Sequence, residues 1–206
     1  DEDVFSLEAS ITDLLVGDLT LERMERGSEG EGSSLRIRFN DVDTTETSEL
    51  NNVDTIIYKQ YVDYNSSFRV EGLEMVDPTS SGYNILLADA VSDTEMEAAG
   101  DADSIFVGQA GVSETFTIKA GATDGSGPID VYMTGFDSTQ DQIEFEGYDS
   151  VNVLLSDDPD GYAAGFATVT ANNTETSQSV DFNVYFTDMA PDQDDWINAT
   201  VTPSTV

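Results

Sequence analysis

Apolar residues recur at every second position over long stretches of this chain. Leu35, Ile37 and Phe39 alternate with Arg36 and Arg38. Phe116 and Ile118 alternate with Thr115, Thr117 and Lys119, and Ile143 and Phe145 with Gln142 and Glu144. Val180, Phe182, Val184 and Phe186 alternate with Ser179, Asp181, Asn183 and Tyr185. A period of two describes strands with one buried and one wet face. Residues 4–11, 14–24, 55–64, 68–76, 83–91, 129–134, 151–155, 163–171 and 196–202 read as further strands.

Turn chemistry separates these runs. The glycine-rich segment 27–32 reads as a flexible hairpin loop, and segments 77–82, 124–128 and 157–161 carry the Asp, Pro and Gly that turns need. The pattern predicts an all-β fold: an antiparallel β-sandwich or jelly-roll-like domain of about a dozen short strands with very little helix. Residues 19–23 and 35–39 are expected to pair antiparallel, with Leu19, Leu21, Leu35, Ile37 and Phe39 on the core face. Glu22 would then lie opposite or diagonal to an Arg. One or two helical turns are expected over 92–100, with Ser92 as N-cap, Glu95 at N3 and Gly100 as the stop. No convincing internal repeat is visible, so residues 1–206 read as one β-rich domain. The alternative is two smaller β domains, 1–95 and 101–206, joined by the acidic 92–104 segment.

Composition changes the picture more than any motif. Forty-two Asp and Glu face seven Lys and Arg, with no His and no Cys, for a net charge of −35. A body of this mass exposes roughly 9,000 Å², so uncompensated charges sit about 16 Å apart on that estimate. The Debye length is about 10 Å at 0.1 M salt and about 3 Å at 1 M. The compact state therefore repels itself in dilute buffer and is relieved at molar salt. Scarce Lys with abundant Asp, Glu and Thr points to an extreme halophile, most simply a haloarchaeon or one of its viruses.

The same charge excludes partners. Nucleic-acid binding needs a basic face, which seven scattered cations cannot build. Direct binding to an anionic membrane is disfavoured on the same ground. No run approaches the roughly 18 apolar residues of a membrane span. The chain starts at Asp1 rather than Met, and Asn65, Asn172 and Asn198 each head an Asn-x-Ser/Thr sequon. Together these point to an extracellular, cell-surface or virion-surface glycoprotein.

Without His or Cys, Ser-His-Asp and Cys-His catalysis and the usual Zn, Cu and haem ligand sets are impossible. No phosphate-binding glycine loop is present. Paired carboxylates could hydrolyse glycosides, but among 42 acids close pairs carry no information. No enzymatic activity and no obligatory cofactor is expected. Calcium is the most credible ligand, with Asp158 and Asp160 as its candidate residues in an Asp-x-Asp-Gly stretch. That stretch departs from the EF-hand pattern, with Ser156 at the first ligand position and Ala167 where the closing Glu belongs. Residues 102–106 and 136–145 resemble the region that follows calcium-binding nonapeptide repeats in secreted toxins and adhesins. The likeness covers under a fifth of the chain, the glycine-rich repeats themselves are absent, and no family is assigned from it.

The function expected from these features is structural: a non-catalytic subunit whose partners are copies of itself, in a surface filament, a pilus or a virion shell. Val4, Phe5, Leu7, Ala9 and Ile11 are the anchors that a donor strand would use to complete a neighbour's sheet; an ordinary first strand is the plainer reading of the same residues. The alternative function is a secreted or surface-anchored adhesin-like or solute-binding β domain, stiffened by calcium.

Overall fold

The computed structural model describes residues 4–25, 33–39, 55–58, 72–76, 82–86, 95–100, 102–109, 111–120, 127–174 and 177–189. The elements run β1 (Val4–Glu8), α1 (Ile11–Val16), β2 (Leu19–Glu25), β3 (Ser33–Phe39), β4 (Thr55–Tyr58), β5 (Gly72–Val76), β6 (Gly82–Leu86) and β7 (Glu95–Gly100). They continue as β8 (Ser104–Val107), β9 (Thr115–Ala120), β10 (Ile129–Thr134), β11 (Gln142–Glu146), β12 (Ser150–Ser156), β13 (Gly165–Asn173) and β14 (Gln178–Phe186). Three sheets result, with orders β1-β5-β6-β8-β10-β14-β13-β12, β11-β9-β7 and β2-β3-β4.

The all-β expectation with little helix describes these elements, but the antiparallel sandwich or jelly roll does not. In the eight-stranded sheet, β1–β5, β6–β8, β8–β10 and β10–β14 pair parallel. The β11-β9-β7 sheet is parallel throughout. From β6 to β11 the chain alternates between these two sheets, one strand in each, so that β6–β7, β8–β9 and β10–β11 form three stacked coils. The β12-β13-β14 meander, antiparallel within itself, then joins the sheet through the parallel pairing of β14 with β10. Periodicity could not separate these topologies. A period of two reports which face is buried, not which way the neighbouring strand runs.

The coils stack in register. Ile85, Ile105, Tyr132 and Tyr185 occupy equivalent positions on neighbouring strands, as do Leu86, Phe106, Met133 and Phe186. In the parallel sheet, Met96, Phe116 and Ile143 align, followed by Ala98, Ile118 and Phe145. Phe106, Met133 and Phe186 meet Phe116, Ile118, Ile143 and Phe145 in the core between the two sheets. Ile85, Ile105, Tyr132 and Tyr185 point the other way, onto α1 and the β2-β3-β4 sheet. Among the described residues, the eight-stranded sheet is thus covered on both faces around β6, β8 and β10, where three layers stack. Tyr185, which the alternation puts on the wet side, is buried and stacks on Tyr132 with centroids 4.6 Å apart.

Two local expectations are corrected. The proposed helix over 92–100 is strand β7 from Glu95 onward; its parallel pairing with β9 outweighs the cap-like pattern around Ser92. Helix instead forms at Ile11–Val16, across the junction of the runs 4–11 and 14–24 read as strand. There Ser10 Oγ accepts from Thr12 N–H, and Gly17 supplies the left-handed stop at φ 81°. The expected hairpin is present: β2 pairs antiparallel with β3, with Glu22 opposite Arg36 and Thr20 opposite Arg38. Leu19, Leu21, Leu35 and Ile37 are buried, and Glu22 reaches Arg38 at 3.4 Å and Arg36 at 3.7 Å. Segments 27–32 and 196–202 lie outside the described residues.

Candidate functional site

The densest polar chemistry lies where two successive coils turn from one sheet to the other. Each turn spans seven residues, 108–114 and 135–141, and each starts at a glycine and ends on an acid. Gly108 N–H donates to Thr134 O at 2.8 Å. Gly135 has φ 74°, and a Cβ there would lie 2.6 Å from Gly108 O, so this close approach of two backbones requires glycine.

The acids lock the turns. Glu114 Oε2 accepts from Gln109 N–H at 2.6 Å, and Asp141 Oδ2 accepts from Asp137 N–H at 2.7 Å. Asp141 Oδ1 also accepts from Glu114 N–H at 2.9 Å, which ties one coil to the next. Glu114 and Asp141 are both buried. Desolvation raises the pKa of each, opposed by the backbone donors and, for Glu114, by Arg23. Arg23 arrives from β2 and forms an ion pair and hydrogen bond with Glu114 Oε1; the paired side chains are 1% and 0% exposed. Beside this pair, a cavity of about 560 Å³ has Leu14, Leu19, Glu22, Gln109 and Asp188 among its lining residues. Asp188 Oδ2 accepts from Gly135 N–H at 2.9 Å, and desolvation raises its pKa.

A second polar column crosses the eight-stranded sheet. Asp130 N–H donates to Asp103 Oδ1 at 2.8 Å, and Asn183 Nδ2 donates to Asp130 Oδ1 at 2.9 Å. Desolvation raises the Asp130 pKa, Asn183 lowers it and Asp103 raises it again.

The residues singled out from sequence do not converge. Asp158 and Asp160 share a turn, but Asp158 Oδ1 accepts from Asp160 N–H at 3.1 Å, and Oδ2 from Tyr162 and Ala163 N–H at 2.7 and 2.8 Å. Those backbone donors hold the Asp158 pKa below the usual carboxylate value against desolvation. The carboxylate closes its own turn, with N–H dipoles where a calcium ion would need oxygens. Among the described residues no group of three or more acids is placed to hold a metal ion. Asn172 lies within β13, and its amide donates to Ser150 Oγ at 3.5 Å. Asn65 and Asn198 lie outside the described residues. Val4, Phe5 and Leu7 lie in β1, paired parallel with β5 of the same chain, the placement of an ordinary first strand. Ala9 is buried, and Ile11 opens α1 and packs against the same core as Ala9.

Sequence reasoning missed Arg23, Glu114, Asp141 and Asp130. One signal could have found two of them: Glu114 and Asp141 each stand immediately before a Thr- or Gln-led alternating run, six residues after a glycine. No protein-family model, curated protein or solved structure matches the chain.

Proposed function

We propose that the protein is a non-catalytic structural subunit of an extracellular assembly that works in high salt, with copies of itself as partners. The observation that carries this reading is the eight-stranded sheet with its outermost strands, β1 and β12, paired on one side only among the described residues. Such a sheet can be continued by another chain through main-chain hydrogen bonds. The net charge of −35 opposes association in dilute buffer, and molar salt removes that opposition. Support also comes from the use of the acids: Glu114 and Asp141 serve as turn locks within the coils, and Asp158 locks the turn between β12 and β13. Light-scattering mass from roughly 0.1 to 4 M NaCl, a range set by the screening length, tests the proposal. Growth into regular particles at high salt supports it; a folded monomer throughout refutes it.

A second reading is a solute-binding β domain, favoured by the cavity of about 560 Å³ beside Arg23. Small-molecule sites run from about 300 to 1,000 Å³. A monomer at every salt, with a melting temperature raised by a small solute, would select it.

A further inference from the structure

Strand β12 closes one side of the eight-stranded sheet. β13 pairs with it on one side, and among the described residues no strand pairs with it on the other. Its seven residues, Ser150-Val-Asn-Val-Leu-Leu-Ser156, carry no charge and no proline. Its register on β13 runs unbroken from Ser150–Asn172 to Ser156–Phe166, so no bulge turns it away. Leu154 is 62% exposed. Proteins guard open edges with charge, proline or bulges, and this chain guards its others. β1 carries Glu8, β2 carries Glu22 and Glu25, β7 carries Glu95 and Glu97, and β11 carries Glu144 and Glu146. β4 is uncharged but only four residues long.

We propose that β12 is a homotypic assembly edge. Two copies pair antiparallel through β12 about a two-fold axis at Val153 and join their eight-stranded sheets into one. This inference rests on the assembling-subunit reading and names the surface and register. A second copy is the occupant because the strand complements itself across such an axis. Ser150 meets the partner's Ser156, Val151 meets the partner's Leu155, Asn152 meets the partner's Leu154, and Val153 meets its own equivalent. Val151, Val153 and Leu155 are half-buried against the core, so the pairing extends that apolar face, while Leu154 is covered on the other. Within the strand no carboxylate faces another. Just beyond each end, Asp149 comes opposite the partner's Asp157, a like-charged pair that disfavours pairing until salt screens it.

The test uses the full chain, which contains no cysteine. Asn152→Cys protein and Leu154→Cys protein are mixed under mild oxidation in the salt at which the wild type associates. The expected result, from equimolar mixing, is a 152–154 cross-linked heterodimer well above the statistical proportion of two heterodimers to one of each homodimer; that statistical 1:2:1 distribution, or any smaller share of heterodimer, would overturn the register. Asn152 and Leu154 are both exposed, so Asn152→Glu with Leu154→Glu leaves the fold intact by circular dichroism. It sets Glu against Glu twice and weakens association roughly tenfold or more. Asn152→Lys with Leu154→Glu, which sets Lys against Glu twice, restores association. Wild-type assembly with the double-Glu variant unchanged overturns the β12 assignment and leaves the assembly reading standing. A wild type that is monomeric at every salt overturns both.

Discussion

Replacing Arg23 by Met should destabilise the protein far more than the same change at Arg36 or Arg38, the more exposed cations of the β2-β3 hairpin. Arg23 and Glu114 are paired at 1% and 0% side-chain exposure. The substitution leaves the Glu114 carboxylate buried with its backbone donor from Gln109 and beside buried Asp141. Removing one partner of a buried pair costs about 3–5 kcal/mol. For a chain of this size that corresponds to a fall of roughly 6–20 °C in Tm. Methionine keeps most of the apolar stem of Arg23 but not the guanidinium's volume, so the pH dependence and a second substitution at Glu114 are needed to separate lost charge from lost packing.

The pH dependence separates this mechanism from simple loss of packing. The Glu114 pKa is raised by desolvation and lowered in part by Arg23. A carboxyl whose folded pKa lies above its unfolded value binds a proton in the folded state first. Its penalty is present at neutral pH and is relieved as pH falls through the folded pKa toward the ordinary carboxylate value. Without Arg23 the folded pKa moves further up, so Arg23→Met should regain more stability than wild type on mild acidification. Arg23→Met combined with Glu114→Gln keeps an acceptor for Gln109 N–H and should lose less than Arg23→Met alone. Denaturant titrations at about pH 7 and pH 5, in molar NaCl to screen surface repulsion, measure all three. A loss under about 1 kcal/mol for Arg23→Met, the range of an exposed pair, or no recovery in acid, would refute the reasoning.

Gly135→Ala should cost roughly 2–4 kcal/mol, combining a left-handed φ with a backbone clash on Gly108. Gly17→Ala, also left-handed but with nothing within 4 Å, should cost only about 1–2 kcal/mol; chemical denaturation compares the pair. Asp158→Ala should lower stability by roughly 1 kcal/mol through its lost backbone hydrogen bonds, and calcium should raise the wild-type Tm no more than NaCl of equal ionic strength does. Raised pKa values at Glu114, Asp130, Asp141 and Asp188 add stability as pH falls from neutrality. Lowered values at Asp137, Asp149 and Asp158 remove it below the ordinary carboxylate range. Stability at fixed molar salt should therefore peak on the acid side of neutrality, and a profile that falls steadily from pH 7 downward would contradict those directions.

What could be read from sequence was what a single face reveals. The β2-β3 pairing was legible because Leu19, Leu21, Leu35 and Ile37 alternate cleanly and Glu22 has Arg36 and Arg38 to meet. β8 was not, because Ser104, Ile105, Phe106 and Val107 are all buried. A strand covered on both faces shows a short apolar run rather than alternation. The coils escaped notice because their spacing is unequal. Twenty residues separate Asn84 from Ser104 and Glu95 from Thr115, but twenty-seven separate Ser104 from Val131 and Thr115 from Gln142. The extra length falls in the return from the parallel sheet to β10, where the chain carries the Asp-Gly-Ser-Gly-Pro stretch at 124–128.

Abundant carboxylates hide the few that matter, and only geometry sorts them. Asp137 is a part-exposed turn acid held by Thr139 and Gln140; Asp141, four residues on, is buried and bridges two coils. The stack also limits how many such acids it can take. A third buried carboxylate would add like charge in a poorly solvated column. The chain brings Arg23 from the β2-β3 hairpin to Glu114, so one of its seven basic residues goes to the point where the coil stack gathers negative charge out of water. Arg23 thereby couples the hairpin layer to the coils, and the strength of that coupling is what Arg23→Met reads out.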